Sequence, residues 1–184
     1  MTDLESALGE VASYLDAQGL SYMLIGGLAV AAWGEPRATL DVDVSVWIEP
    51  EDFDEAVRQI AARFRALPDA LEFARRSRVV PILTSNGIRA DIVLAALADE
   101  RQMLARAATK TLSEGEIRVA AVEDLIFMKL LSERPQDQED ARRLIRRFRA
   151  TLDRQYLEPR LAELAEAMAR TDILDLYWLE MGIR

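Results

Sequence analysis

The sequence contains no cysteine and no histidine. That excludes disulfides, thiolate metal sites, histidine-based triads, His–zinc centres and haem ligation through histidine. Acid–base chemistry must come from carboxylates, lysine or tyrosine. Lysine is itself scarce: Lys110 and Lys129 stand alone in a chain that otherwise uses arginine. Basic charge is in deficit, with 23 Lys and Arg against 32 Asp and Glu and a net charge of −9. This disfavours long-range attraction to nucleic acid or anionic membrane, although a local basic groove is still compatible with it. No apolar run reaches the roughly 18 residues of a membrane span. The opening MTDLESALGE is acidic and amphipathic, unlike a signal peptide. The expectation is a soluble cytoplasmic protein with no membrane partner.

What is present suits a folded domain. Of 184 residues, 51% are apolar, enough for a core in one domain or in a core plus a small helical extension. The organising stretch is MLIGGLAVAAWGEPRATLDVDVSVW, Met23 to Trp47. An apolar strand, Met23 to Ile25, ends at Gly26-Gly27, where the backbone can turn tightly and approach a ligand. Leu28 to Trp33 reads as a short apolar helix whose amino end offers free N–H groups suited to phosphate. After a loop, strict alternation from Asp41 to Trp47 predicts a strand. Val42, Val44, Val46 and Ile48 share one face, and Asp41, Asp43 and Ser45 the other. Carboxylates at i and i+2 lie roughly 7 Å apart at Cα, close enough to hold divalent cations between them.

Along the rest of the chain, Thr2-x-x-Glu5 is a capping box for a helix carrying Leu4, Leu8, Val11 and Leu15, stopped by Gly19. Pro50 opens a helix with the stripe Phe53, Ala56, Val57, Ile60 and Phe64, ending near Pro68. Residues 69–78, with Arg75, Arg76 and Arg78, read as a solvated loop, with a substrate contact as the alternative. Val79–Thr84 and Ile88–Leu94 flank Ser85-Asn86-Gly87, a strong hairpin signal, and Pro81 favours an edge or bulge in the first strand. In the second strand Arg89, Asp91 and Val93 share a face, and Asp91 has a plain reading as the ion-pair partner of Arg89 or another arginine. Residues 98–109 read as helical and Glu116–Val119 as a short strand. From Val122 the pattern is helical: Glu123–Glu133, Gln136–Arg149 and Leu157–Met168. The Arg142, Arg143, Arg146, Arg147 and Arg149 cluster reads as a solvated face paired with nearby acids, with nucleic-acid contact as the alternative. Ile173 to Leu179 either closes the fold or supports self-association as a homodimer.

Gly26-Gly27, thirteen residues, then Asp41-Val-Asp43 resembles the signature of the DNA polymerase β-like nucleotidyltransferase superfamily. Arg37-Ala-Thr39-Leu-Asp41-Val-Asp43 is similar to its toxin-like AbiEii branch, as are Lys129, Arg134, Asp137 and Asp140, with Gln136 in place of an expected base. The resemblance covers roughly residues 20–145 and implies an α/β (by strict labels α+β) fold. This is a small, mixed, twisted sheet with packed helices and a helical carboxyl-terminal part, so that residues 1–120 form the core and 121–184 a helical extension packed on it.

The resemblance also implies the activity: transfer of a nucleoside monophosphate from an NTP to a hydroxyl acceptor, with Mg²⁺ or Mn²⁺ as cofactor. Asp41, Asp43 and Asp91 are then the metal-binding and catalytic carboxylates, because the superfamily places its third acid on a strand beside the Asp-x-Asp strand. Gly26, Gly27, Arg37, Thr39 and Lys129 become nucleotide contacts, and Asp137 a contact to the nucleotide or to Lys129. The acceptor is left open among tRNA, protein and small molecule, with an antitoxin as a candidate partner. The alternative reading is a nucleotide- or partner-binding module of the same fold without catalysis.

Overall fold

The structure, a computed structural model, describes residues 2–35, 37–112 and 115–183. It forms two compact units, Met1–Ala32 with Pro36–Ala120, and Trp33–Glu35 with Ala121–Arg184.

The first unit opens with α1 (Asp3–Ala17), whose Thr2/Glu5 capping box is complete and whose Leu8, Val11 and Leu15 are buried. β1 (Tyr22–Ile25) runs directly into α2 (Gly26–Ala32), and the chain returns as β2 (Asp41–Trp47). A 3-10 turn at Pro50–Asp52 leads to α3 (Phe53–Arg63), then β3 (Arg65–Ala66) and α4 (Ala70–Ser77). β4 (Val79–Leu83), β5 (Arg89–Ala95), α5 (Ala98–Arg106), β6 (Ala108–Leu112) and β7 (Gly115–Val119) complete it.

The strands of the described residues make one mixed sheet of seven, in the order β3-β4-β5-β2-β1-β7-β6. β2 is central. It pairs antiparallel with β1 and parallel with β5. The alternation read from sequence is the reason it fits there: Val42, Val44 and Val46 are fully buried beneath it, as are Ala90, Ile92 and Leu94 of β5. Burying these side chains removes apolar area from water at about 25 cal/mol per Å², which fixes which face of each strand is left for the acids.

Two local readings change. Residues 69–78 are largely helical rather than a loop: α4 occupies them, with Ala70 and Ala74 buried and Arg78 closing it in the left-handed region at φ 59°. The segment is amphipathic, with Ala70, Phe73, Ala74 and Ser77 at helical spacing; its arginines favour the loop reading, yet they occupy the outer face of a helix. The helix expected over 98–109 stops at Arg106, because the next residues join the sheet as β6 against β7. The expectation for Pro81 holds: it pairs on one side only, opposite Asp91 of β5, and so sits at a local edge of the sheet. β3 pairs only with Leu83 and Ile82, so it ends before it would need an N–H from Pro81.

The second unit is helical: α6 (Val122–Leu131), α7 (Pro135–Phe148), α8 (Arg154–Ala167) and α9 (Asp172–Met181). Leu125, Ile126, Leu130, Leu144, Ile145, Leu157, Leu161, Ile173 and Tyr177 are buried. Trp33 meets Phe148 edge-on at 5.4 Å, and Glu35 pairs with Arg147 at 3.3 Å, which explains why Trp33–Glu35 belong here. The arginines of α7 pair with acids: Arg142 and Arg146 with Glu180, Arg143 with Glu139. Among the described residues no helix is long and apolar enough to cross a membrane.

Candidate active site

Gly26 and Asp43 are brought together by strand direction. β1 and β2 are antiparallel with Ile25 opposite Asp43, so the chain leaves β1 beside the start of β2. Gly26 has φ +68°, and a Cβ there would stand 2.0 Å from Asp43 Oδ2. Only glycine satisfies both the backbone conformation and this contact. The second glycine serves the loop before β2: a Cβ on Gly27 would meet Thr39 Cβ and Oγ1 at 2.9 Å and Arg37 Cζ at 3.4 Å. The glycine pair, Arg37, Thr39 and Asp43 therefore share one volume. Thr39 Oγ1 donates to Asp41 Oδ1 at 2.8 Å, and Arg37 Nη1 donates to the Ala38 carbonyl at 2.6 Å. Leu40, between Thr39 and Asp41, is 87% exposed; the sequence reading assigned it nothing.

The strand carrying Asp91 lies beside the Asp-x-Asp strand. In the parallel ladder of β2 and β5, Asp41 is opposite Arg89 and Asp43 opposite Asp91. Neighbouring strands are about 4.8 Å apart, and residues at i and i+2 point to one face. The three aspartates thus share a face, with Arg89 as the fourth corner. Asp91 is also the ion-pair partner of Arg89, the other role open to it from sequence. Arg89 Nε donates to Asp91 Oδ1 at 3.2 Å and Nη2 to Oδ2 at 2.8 Å. Hydrogen bonding to Asp91 and its charge, with Asp41 and Asp43 adding to them against some burial, hold the guanidinium still more firmly protonated than usual.

Hard carboxylate oxygens are the donor chemistry that Mg²⁺ and Mn²⁺ take, so the residues suit such an ion. Their side chains are nonetheless engaged with protein groups: among the described residues, no three or more His, Cys, Asp or Glu side chains stand arranged as a metal site.

Lys129 and Asp137 lie in the second unit and meet each other. Lys129 Nζ is 2.5 Å from Asp137 Oδ1 and 3.2 Å from Asp140 Oδ2, and the side chain is only 8% exposed. Asp137 Oδ2 also receives Ser132 Oγ at 2.7 Å and Arg134 Nε at 2.6 Å. Burial pushes the Asp137 carboxyl up, but hydrogen bonds from Lys129 and Ser132 and the charges of Lys129 and Arg134 bring it below its ordinary value. Lys129, which the resemblance makes a nucleotide contact, is thus held between two carboxylates that tie α6 to α7.

The family model described as "Nucleotidyl transferase of unknown function (DUF2204)" matches residues 4–173. Among curated proteins no relative matches the sequence. Solved structures share the fold. An antigenic nucleotidyltransferase-like protein from Paracoccidioides brasiliensis superposes with a TM-score of 0.57 at 18% identity, covering 95% of this chain and 92% of its own. The antibiotic-resistance factor ANT(2'')-Ia gives 0.55 at 16% identity, over 91% and 94% of the two chains. The lincomycin-bound lincosamide antibiotic adenylyltransferase LnuA gives 0.52 at 13%, over 76% and 95%.

Proposed function

The chain belongs to this family of nucleotidyl transferases, and from that premise we propose that it moves a nucleoside monophosphate from an NTP to a hydroxyl acceptor at the β2–β5 face. The observation that carries the reading is the in-register pairing of Asp43 with Asp91 beside the Gly26 turn.

Asp41, Asp43 and Asp91 are the residues that would hold Mg²⁺ or Mn²⁺. A bound divalent ion there supplies charge neutralisation for the triphosphate and its leaving group. The protein's own contribution is positional. Gly26 lets the Asp43 carboxylate lie against bare backbone, and Gly27 lets the Arg37–Thr39 loop close over the turn. Thr39 fixes Asp41 by donating to one of its oxygens, which leaves the other oxygen of that carboxylate for a cation. Arg37 brings a guanidinium to the same volume, suited to phosphate oxygens. Asp91, once released from Arg89, is a candidate acceptor for the hydroxyl proton. Lys129 and Asp137 lie in the second unit and pair with each other; a direct phosphate contact by Lys129 would have to break two ion pairs.

For the acceptor we favour a small hydroxylated molecule. The negative net charge works against RNA, and of the proteins sharing this fold one is named an antibiotic-resistance factor and another a lincosamide antibiotic adenylyltransferase. A tRNA or protein acceptor with a partner antitoxin is the role that the AbiEii resemblance would carry over. The non-catalytic module has one observation in its favour, the engagement of Asp91 by Arg89 in place of a ready metal site. Incubation with each α-labelled NTP and Mg²⁺ or Mn²⁺, against hydroxylated small molecules, tRNA and lysate protein, separates these readings. Label transfer that vanishes in Asp43→Asn supports the enzyme. Metal-dependent NTP binding without transfer to any acceptor supports the module.

A further inference from the structure

Arg89 has no part in the chemistry just described, yet it stands at the centre of the charges. It lies two residues before Asp91 on β5 and opposite Asp41 on β2. The face therefore holds a square of three acids and one base, with strand spacings of about 4.8 Å across and roughly 7 Å along. Three carboxylates this close repel one another unless a cation lies among them. The Arg89 guanidinium is one such cation, on the β5 side of the square, with Arg37 on the side of the glycine turn. The Arg89 fork takes both oxygens of Asp91 at once, the geometry in which an arginine holds a carboxylate most firmly. The two partners differ in how freely they move: the Arg89 side chain is 60% exposed and that of Asp91 18%. The arginine can swing into solvent, whereas the acid is held by its strand.

We propose that Arg89 is a resident counter-cation of the carboxylate site, which has to release Asp91 before a divalent ion can be shared between Asp91 and Asp43. This rests on the reading of Asp41, Asp43 and Asp91 as the metal carboxylates. A divalent ion needs oxygen lone pairs at about 2.0–2.6 Å, and those of Asp91 are the ones Arg89 engages. The ion's double positive charge would also meet the guanidinium at short range, where like charges repel strongly. The arginine thus sets a threshold for metal binding in the nucleotide-free protein. An incoming polyphosphate lowers the threshold by giving the guanidinium another anion to pair with. Arg89 is a positioning residue: it acts on the metal through Asp91.

The test is Mn²⁺ alone, titrated into nucleotide-free protein by calorimetry and followed by the loss of free-ion electron paramagnetic resonance signal. Wild type, Arg89→Gln, Arg89→Lys and Asp91→Asn are compared. Arg89→Gln is expected to bind Mn²⁺ about threefold to tenfold more tightly than wild type, since an ion pair and a like-charge repulsion are both removed. Arg89→Lys, which keeps the charge but loses the fork, should fall between them, an ordering that a merely structural role would not produce. Asp91→Asn should bind most weakly. If Asp91→Asn weakens binding but Arg89→Gln binds no better than wild type, the counter-cation role is overturned and the carboxylate site stands. If no variant binds at millimolar Mn²⁺, or Asp91→Asn binds as well as wild type, the site assignment falls and this inference with it. The exposure of Arg89 makes folded variants the expectation, checked by circular dichroism.

Discussion

Gly26 and Asp43 touch so closely that a Cβ on the glycine would lie 2.0 Å from the carboxylate oxygen Oδ2. The turn that ends β1 and the second acid of β2 are therefore one feature of the structure. A side chain at Gly26 would be felt at the carboxylate first.

Gly26→Ala should lose metal-dependent nucleotide binding and also lower the melting temperature. Gly19 supplies the control. It has nearly the same backbone conformation, φ +67° against +68°, but nothing lies within 4 Å of where its Cβ would be. Gly19→Ala should show only the cost of the left-handed backbone, about 1–2 kcal/mol. Chemical denaturation of both variants gives the difference, which reports the Asp43 contact. Equal losses in the two would mean the contact relaxes without cost.

The Asp41→Asn, Asp43→Asn double variant should keep its fold and lose Mg²⁺- or Mn²⁺-dependent NTP affinity. In metal-free buffer its melting temperature should match or exceed that of wild type, because two acids that repel each other and Asp91 are gone. Calorimetry with nucleotide and a thermal melt without it check the two halves separately. A large loss of stability in metal-free buffer would instead identify the pair as structural.

Lys129→Met should be among the more destabilising single changes in the second unit. It leaves Asp137 and Asp140, both buried, without the ammonium that lies 2.5 and 3.2 Å from their oxygens. Breaking a buried pair by removing one partner costs about 3–5 kcal/mol, whereas replacing the set with apolar residues costs far less. Urea denaturation of Lys129→Met and of the Lys129→Met, Asp137→Leu, Asp140→Leu variant is the measurement. The triple variant should recover much of the loss.

Stability in acid should depend on Asp137. Its carboxyl is below the ordinary value in the folded chain, so the folded state binds that proton less readily than the unfolded state. The contribution is complete above the unfolded value of about 3.9 and is lost as pH falls through the lower folded one. Melting temperature from pH 6 down to pH 2, compared between wild type and Asp137→Asn, should show a steeper fall in wild type at the acid end. Parallel curves would remove the lysine–aspartate pair as an acid-sensitive element.

Much of the candidate site was legible in the chain itself, because its signals are local. Alternation in Asp41–Trp47 put both acids on one face, a glycine pair marked the turn before it, and Asn86-Gly87 announced the β4–β5 hairpin. Each depends on residues a few positions apart, where backbone sterics and a period of two decide the outcome. The parallel pairing of β5 with β2 was not of this kind. It joins residues some fifty positions apart; the resemblance supplied that the two strands are neighbours, but the register that sets Asp43 beside Asp91 comes from the structure alone. The same holds for Arg89, whose neighbours Asp41 and Asp43 sit on another strand, and for Lys129, whose burial depends on how α7 folds back on α6. The strand Ala108–Leu112 was missed because it depends on pairing with β7, whereas the helix Ala70–Ser77 carried a helical spacing of its own that its arginines obscured. The sequence determined which groups exist and which way each strand faces them. The tertiary structure decided which charges meet, because the energy of an ion pair depends on distance in space and not along the chain.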